Sequence, residues 1–373
     1  MKNTTEILFS LIREEICGKD FTLGTFDAEN LFNIVKHHDI AYIIAKALSK
    51  KGKLTDNFKK EEILTIYRYE SQRYELDRIS SLFEEYSIDY LSLKGANISA
   101  YYPDPIMRTS CDIDILIKEK DLDKAIKLLE EKFSFKRKKA AEYRNASLYS
   151  PSGVHLELHF NILENMENVD RLLSRVWEHT TLATSHGFKM DNNYFVFYTI
   201  AHIVQHLSNN GMGIRPFIDL WILKNKVDYD ENLLREYLRE CEVEKFYDNV
   251  NLLLSVWFEG KEHTDLTLRM EEYIVEGGIY GKSTNLIAIK KNRSGSFGAY
   301  LKSRIILPYD TIKYYYPVLK KHKWLTPFYE VIRWCRVATN GIYKRIIREI
   351  KTSRNLSNEN TQKISDFLKE IGL

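Results

Sequence analysis

The chain has 373 residues, 44% hydrophobic and 29% charged, with a formal net charge of +3. That balance is ordinary for a soluble globular protein and argues against a low-complexity chain. No uncharged apolar run reaches the roughly 18 residues needed to span a bilayer, and the four cysteines, Cys17, Cys111, Cys241 and Cys335, form no CxxC pair. Zinc ribbons are therefore excluded, and reduced thiols in a cytoplasmic protein are expected.

The opening MKNTTEILFSLIREEI reads as an amphipathic helix with acidic residues inside it, not as a secretory signal. Through residue 85, LFNIVKHHDIAYIIAKAL and EEILTIYRYESQRYELDRISSLFEEY repeat their apolar positions at three and four, which predicts helices. A short strand, SIDYLSL, then ends at Lys94-Gly95. Ala96 to Tyr102 predicts a short helix stopped by Pro103 and Pro105, and Asp112 to Ile117 a second strand. Asp121 is placed to cap a helix through LDKAIKLLEEKF. Strand patterns follow at Phe133 to Lys138, Tyr143 to Ser150 and Val154 to Ile162, and after Asn165 helical periodicity runs almost to the end.

Two carboxylates stand out in RTSCDIDILI. A strand repeats its side-chain direction every two residues, so Asp112 and Asp114 leave one face, where like charges repel unless a cation or strong donors neutralise them. In VHLELHFNI the same period puts His155, Glu157 and His159 on one face. If the two strands are neighbours, three carboxylates share a cleft, the oxygen set of a two-metal phosphoryl-transfer site. The two histidines are expected to hydrogen-bond or to line that cleft. Cys111, beside the aspartates, is expected to be a small buried residue. His202 and His206 lie i, i+4 on a helix without the glutamate of HExxH. Arg215 and Asp219 have the same spacing, which suggests a local ion pair.

The ordered set LKG, RTSCDIDILI and HLELH resembles the nucleotidyltransferase superfamily of the DNA polymerase β type, and more narrowly the bacterial group called uncharacterised nucleotidyltransferases. The narrower likeness includes HIVQHLSNNGMGIRPFIDLWIL and LPYDTIKYYYPVLKKHKWLTPFYEVIRW, and so spans the first strand to Trp334. It implies an α+β fold: a small mixed-sheet nucleotidyltransferase core embedded in predominantly helical N- and C-terminal regions. The expected units are a helical region over 1–85, the core over 86–165, a helical domain bordering the cleft over 166–276, and a basic helical module over 277–373.

The resemblance further implies an enzyme that uses Mg²⁺ or Mn²⁺ to move a nucleoside monophosphate from an NTP, ATP by preference, to a hydroxyl-type acceptor, releasing pyrophosphate. Asp112 and Asp114 match the metal pair and Glu157 the third ligand and general base. Gly95 matches the phosphate turn, but Ala96 stands where relatives carry a hydroxyl. Lys94 and Arg108 are expected to meet the phosphates instead. His159, His206, Arg215 and Asp219 are expected to border the acceptor cleft.

Three rival readings are a nucleotide-binding or regulatory protein that kept the fold without turnover, a glycosyltransferase whose DxD holds a sugar nucleotide, and a nucleic-acid or membrane adaptor acting through the basic C-terminal module. The second predicts a large α/β domain ahead of the DxD. From Glu276 onward 19 Lys+Arg stand against 7 Asp+Glu, a balance of +12, which leaves −9 for the residues before it. Docking of this basic tail on the acidic body is favoured over nucleic acid or an anionic membrane, because its aromatic residues recur at helical spacing and need burial.

Overall fold

The computed structural model describes residues 2–138, 145–164, 166–209, 211–278, 316–339 and 358–373, with single positions between 287 and 313 and at 351. Four helices come first: α1 (Lys2–Cys17), α2 (Ala28–His37), α3 (Ala41–Lys50) and α4 (Asp56–Glu85). The run LFNIVKHHDIAYIIAKAL is two helices, because Asp39 turns the chain with a left-handed φ of 54°. His38, just before it, is fully buried. Its Nδ1 accepts the Ile214 N–H at 3.2 Å and its Nε2–H donates to Val275 O at 2.9 Å, which suits a neutral imidazole. Burial pushes its pKa down to about 4, with the Val275 carbonyl opposing.

Seven strands follow: β1 (Tyr90–Ser92), β2 (Ile113–Ile117), β3 (Lys136–Arg137), β4 (Asn145–Tyr149), β5 (His155–His159), β6 (Thr180–Leu182) and β7 (Gly187–Met190). They form one mixed sheet in the order β3-β4-β5-β2-β1-β7-β6. β1 pairs antiparallel with β2, and β2 pairs parallel with β5, with Asp114 opposite Glu157. Ile113, Ile115 and Ile117 join Leu156, Leu158, Ala146 and Leu148 in a core shared with Ile79 and Phe83 of α4 and with α6 (Leu122–Phe133). The period of two therefore turns Asp112, Asp114, His155, Glu157, His159, Asn145 and Ser147 to the other face. The sheet is the α+β arrangement expected, and no strand precedes Tyr90 among the described residues.

Local bounds differ from the sequence reading in several places. The short helix α5 covers Gly95–Ser99, and the expected strand from Phe133 shrinks to β3 because Phe133 closes α6. Tyr143 and Asn165 lie outside the described residues. Asp121 precedes α6, but its side chain makes no capping bond. The β6–β7 hairpin falls in a region that reads as helical. Gly187 is needed there, since a Cβ would lie 2.9 Å from the Tyr90 hydroxyl on the neighbouring strand.

The remaining helices are α7 (Glu167–Leu173), α8 (Asn192–Leu207), α9 (Arg215–Lys226), α10 (Glu231–Glu240), α11 (Glu244–Leu254) and α12 (Asp265–Gly277), followed by α13 (Thr326–Thr339) and α14 (Asn358–Ile371). Residues of α1–α3 and of α7–α12 share one apolar core with Leu91, Leu93 and Leu116 of the sheet region. α14 reaches that core through Leu368 and Ile371 and pairs Glu370 with Arg269 of α12. Most of the glycine-rich stretch from Gly277 to Tyr300 lies outside the described residues. No described helix is long and apolar enough to cross a membrane.

Candidate active site

The parallel register of β2 and β5 gathers the acids. One ligand atom from each of Asp112, His155 and Glu157 lies within 4.8 Å of the others, and the same holds for Asp114, Glu157 and His159. Glu157 belongs to both groups, so the sheet presents two adjoining ligand sets that share one carboxylate. His159 Nε2–H donates to Asp114 Oδ1 at 2.8 Å and stands 3.5 Å from Glu157 Oε2, which also accepts from Asn145 Nδ2. His155 is stacked on Tyr149, hydrogen-bonds Ser147 Oγ at 2.7 Å and lies 4.0 Å from both Asp112 and Glu157.

The two aspartates are held differently. Burial and the neighbouring Asp114 charge push the Asp112 pKa up. Burial acts on Asp114 in the same direction, but the His159 hydrogen bond and the positive charges of His159 and Lys94 outweigh it and hold that carboxyl below the usual range. Three carboxylates, with two imidazoles among them, fit a divalent cation: the oxygens are hard ligands, and the site holds more negative charge than its neighbours offset. Cys111, between Ser110 and Asp112, is exposed rather than buried.

Beside the acids lies an open cleft. Asp112, Asp114, Gly95 and Ser110 line it together with Tyr69, Gln72 and Arg73 of α4. A Cβ at Gly95 would come within 3.3 Å of Ser110 Oγ, so the backbone turn passes close to a hydroxyl that position 96 does not supply. Sequence reasoning missed Ser110; the signal was a serine two residues before the first aspartate. Its Oγ donates to Asp112 O at 2.9 Å, while Gln72 Nε2 donates to Ser110 O at 3.1 Å.

The expected phosphate cations are placed otherwise. Lys94, at a left-handed φ of 33°, does not line this cleft. Its Nζ donates to His202 Nδ1 at 3.0 Å, and Glu164 Oε1 lies 3.3 Å from the same nitrogen. Burial and the Lys94 ammonium lower the His202 pKa, and the His206 ring packs edge-on against His202 at 4.3 Å. Arg108 reaches the cleft, but its charge is met by Asp219: Nη2 donates to Oδ2 at 2.9 Å and Nε to both carboxylate oxygens at 3.2 Å. Tyr102 Oη donates to Asp219 Oδ1 at 2.7 Å.

The i, i+4 pair expected between Arg215 and Asp219 is accordingly not formed. Arg215 Nη1 meets Asp39 Oδ2 at 2.6 Å and Thr109 Oγ1 at 3.1 Å, and Arg68 Nη1 meets Asp39 Oδ1 at 3.1 Å. Arg215 opens α9 and is taken up by Asp39, while Asp219 is taken up by Arg108 and Tyr102, so neither is left for the other. Thr109 donates in turn to Asp39 O at 2.7 Å, so this network braces the loop leading to Ser110 and Asp112.

The family model described as uncharacterised nucleotidyltransferase matches residues 24–259, and the chain belongs to that family. The match begins ahead of the first strand and ends before the block from Leu307 to Trp334. A crystal structure of an antigenic nucleotidyltransferase-like protein from Paracoccidioides brasiliensis is 17% identical, covers 50% of this chain and 91% of that one, and superposes with a TM-score of 0.30. No curated protein matches the chain.

Proposed function

We propose that this member of the uncharacterised nucleotidyltransferase family transfers a nucleoside monophosphate from an NTP, with ATP as first choice, to a hydroxyl-type acceptor. The observation that carries this reading is the pair of ligand sets sharing Glu157 beside an open cleft lined by Asp112 and Asp114. Asp112, Asp114 and Glu157 would hold Mg²⁺ or Mn²⁺. Such an ion supplies charge neutralisation on the triphosphate and polarises the phosphoryl group under attack.

The protein's own groups account for the rest. The acceptor oxygen forms a bond to the α-phosphorus, the bond from that phosphorus to the bridging oxygen breaks, and pyrophosphate leaves with the electron pair. Glu157, oriented by the amide of Asn145, takes the hydroxyl proton. Gly95 lets the backbone approach the phosphates, and the Ser110 hydroxyl flanks that turn. His159 positions Asp114. The acceptor would sit between the sheet and the helices around His206 to Asp219. The absence of a strand ahead of Tyr90 among the described residues disfavours the glycosyltransferase reading.

The test is incubation of the full chain with each α-labelled NTP, Mg²⁺ or Mn²⁺ and fractionated cell extract. Label transferred to one fraction, with stoichiometric pyrophosphate, is the expected result. Label from γ-labelled NTP on the acceptor, or no transfer with any NTP and either ion, would overturn the reading.

A further inference from the structure

A triphosphate entering the cleft brings several negative charges beside Asp112 and Asp114, more than a metal ion alone offsets, so a further side-chain cation is needed there. The two sequence candidates are already engaged. Lys94 bonds His202 and its charge acts on Asp112 and Asp114, and the Arg108 charge is met by Asp219. α4 also lines the cleft: Tyr69, Gln72, Arg73 and Leu76 follow the i, i+3, i+4, i+7 spacing of one helical face, and all four border it. The Gln72 amide bond to Ser110 O fixes this face against the loop that carries the acids.

Arg73 is exposed and makes no ion pair or hydrogen bond among the described residues, although it lines the same cleft as Gly95 and Asp112. Its side chain is long, permanently charged and forked, which suits two-point contact with phosphate oxygens. A helix fixed at Gln72 and Leu76 gives that side chain a rigid base.

We propose that Arg73 is the cation that receives the β- and γ-phosphates of the bound NTP, the part played in the sequence reading by Lys94 and Arg108. The assignment rests on the nucleotidyltransferase reading above. It makes α4 the wall that closes on the polyphosphate tail.

Calorimetry on the full-length protein with Mg²⁺, using ATP and AMP as probes, separates the alternatives. Arg73→Gln should weaken ATP at least about tenfold, as expected for a lost charge-assisted contact, and leave AMP within about twofold. Arg73→Lys should recover part of the loss, and Lys94→Gln should cost ATP less than Arg73→Gln. An ATP affinity within twofold of the parent in Arg73→Gln, at unchanged melting temperature, overturns the Arg73 assignment and leaves the enzyme reading standing. Equal losses for ATP and AMP overturn it as well, since they would point to the nucleoside end. A parent protein that binds no NTP with Mg²⁺ or Mn²⁺ overturns both.

Discussion

Two groups of charged side chains meet at the loop before β2, and they are balanced in opposite ways. On the α9 side, Arg108 faces Asp219 and Tyr102, while Arg215 and Arg68 face Asp39, so every carboxylate has a guanidinium on it. On the sheet side, Asp112, Asp114 and Glu157 have two histidines, the Asn145 amide, the Ser110 hydroxyl and the charge of Lys94, with no guanidinium bonded to any of them among the described residues. A buried pair that is matched serves the fold, and breaking it costs more than forming it gains. A carboxylate cluster left short of positive charge is costly to the fold and useful to a ligand. The same residue types are thus structural in one group and chemical in the other.

The contrast is broken most directly by substituting across it. Asp112→Asn, Asp114→Asn and Glu157→Gln should each lower nucleotide transfer by about 10³-fold or more at saturating Mg²⁺. Asp112→Asn should melt at or above the parent temperature, because that carboxylate is uncomfortable when charged. Near-parental turnover in any of the three defeats the site assignment. Asp219→Asn should do the reverse, costing about 3–5 kcal/mol in denaturant unfolding by leaving Arg108 buried and unpaired.

His38, next to Asp39 on the matched side, gives a pH test. Its folded pKa of about 4 lies below the ordinary value of 6.5, so as pH falls the unfolded chain takes up the proton first. Its contribution is full above pH 6.5 and is lost between 6.5 and about 4, a change on the order of 3 kcal/mol. His38→Gln should be less stable at pH 7.5 and show a flatter stability profile across that window; an equally steep profile would clear His38 of the effect. The smallest effect is expected on the unmatched side. Mg²⁺ or Mn²⁺ at a hundred times its dissociation constant should stabilise the parent by about 2.7 kcal/mol, and Asp112→Asn by much less. An equal melting shift in both would place the ion elsewhere.

Much of the sheet and its acids was legible because a period of two is a local property: five residues of HLELH assign their own faces. The adjacency of β5 and β2 was legible only as a condition. Thr180 to Met190 escaped because its strands are short and its apolar residues few, so the pairing of β7 with β1 decides what the sequence leaves open. The partners of Arg108 and Arg215 escaped for a different reason. Arg108 reaches 111 residues along the chain to Asp219, and Arg215 reaches 176 back to Asp39, distances at which spacing rules say nothing. The four-residue spacing of Arg215 and Asp219 suggested a pair that these distant partners pre-empt.

The in-register meeting of Asp114 with Glu157 also sets the order in which this protein can come into being. Asp114 and His159 are 45 residues apart, on parallel strands that no tight turn can join. A nascent chain that has released β2 but not yet β5 holds only one of the three residues of either ligand set. Closure of the intervening chain must be complete before the carboxylates meet, and it must be driven by Ile115, Leu156 and Leu158 against the repulsion of the acids. An ion bound to both ligand sets would therefore need the finished sheet, and would be expected to slow unfolding more than it speeds folding.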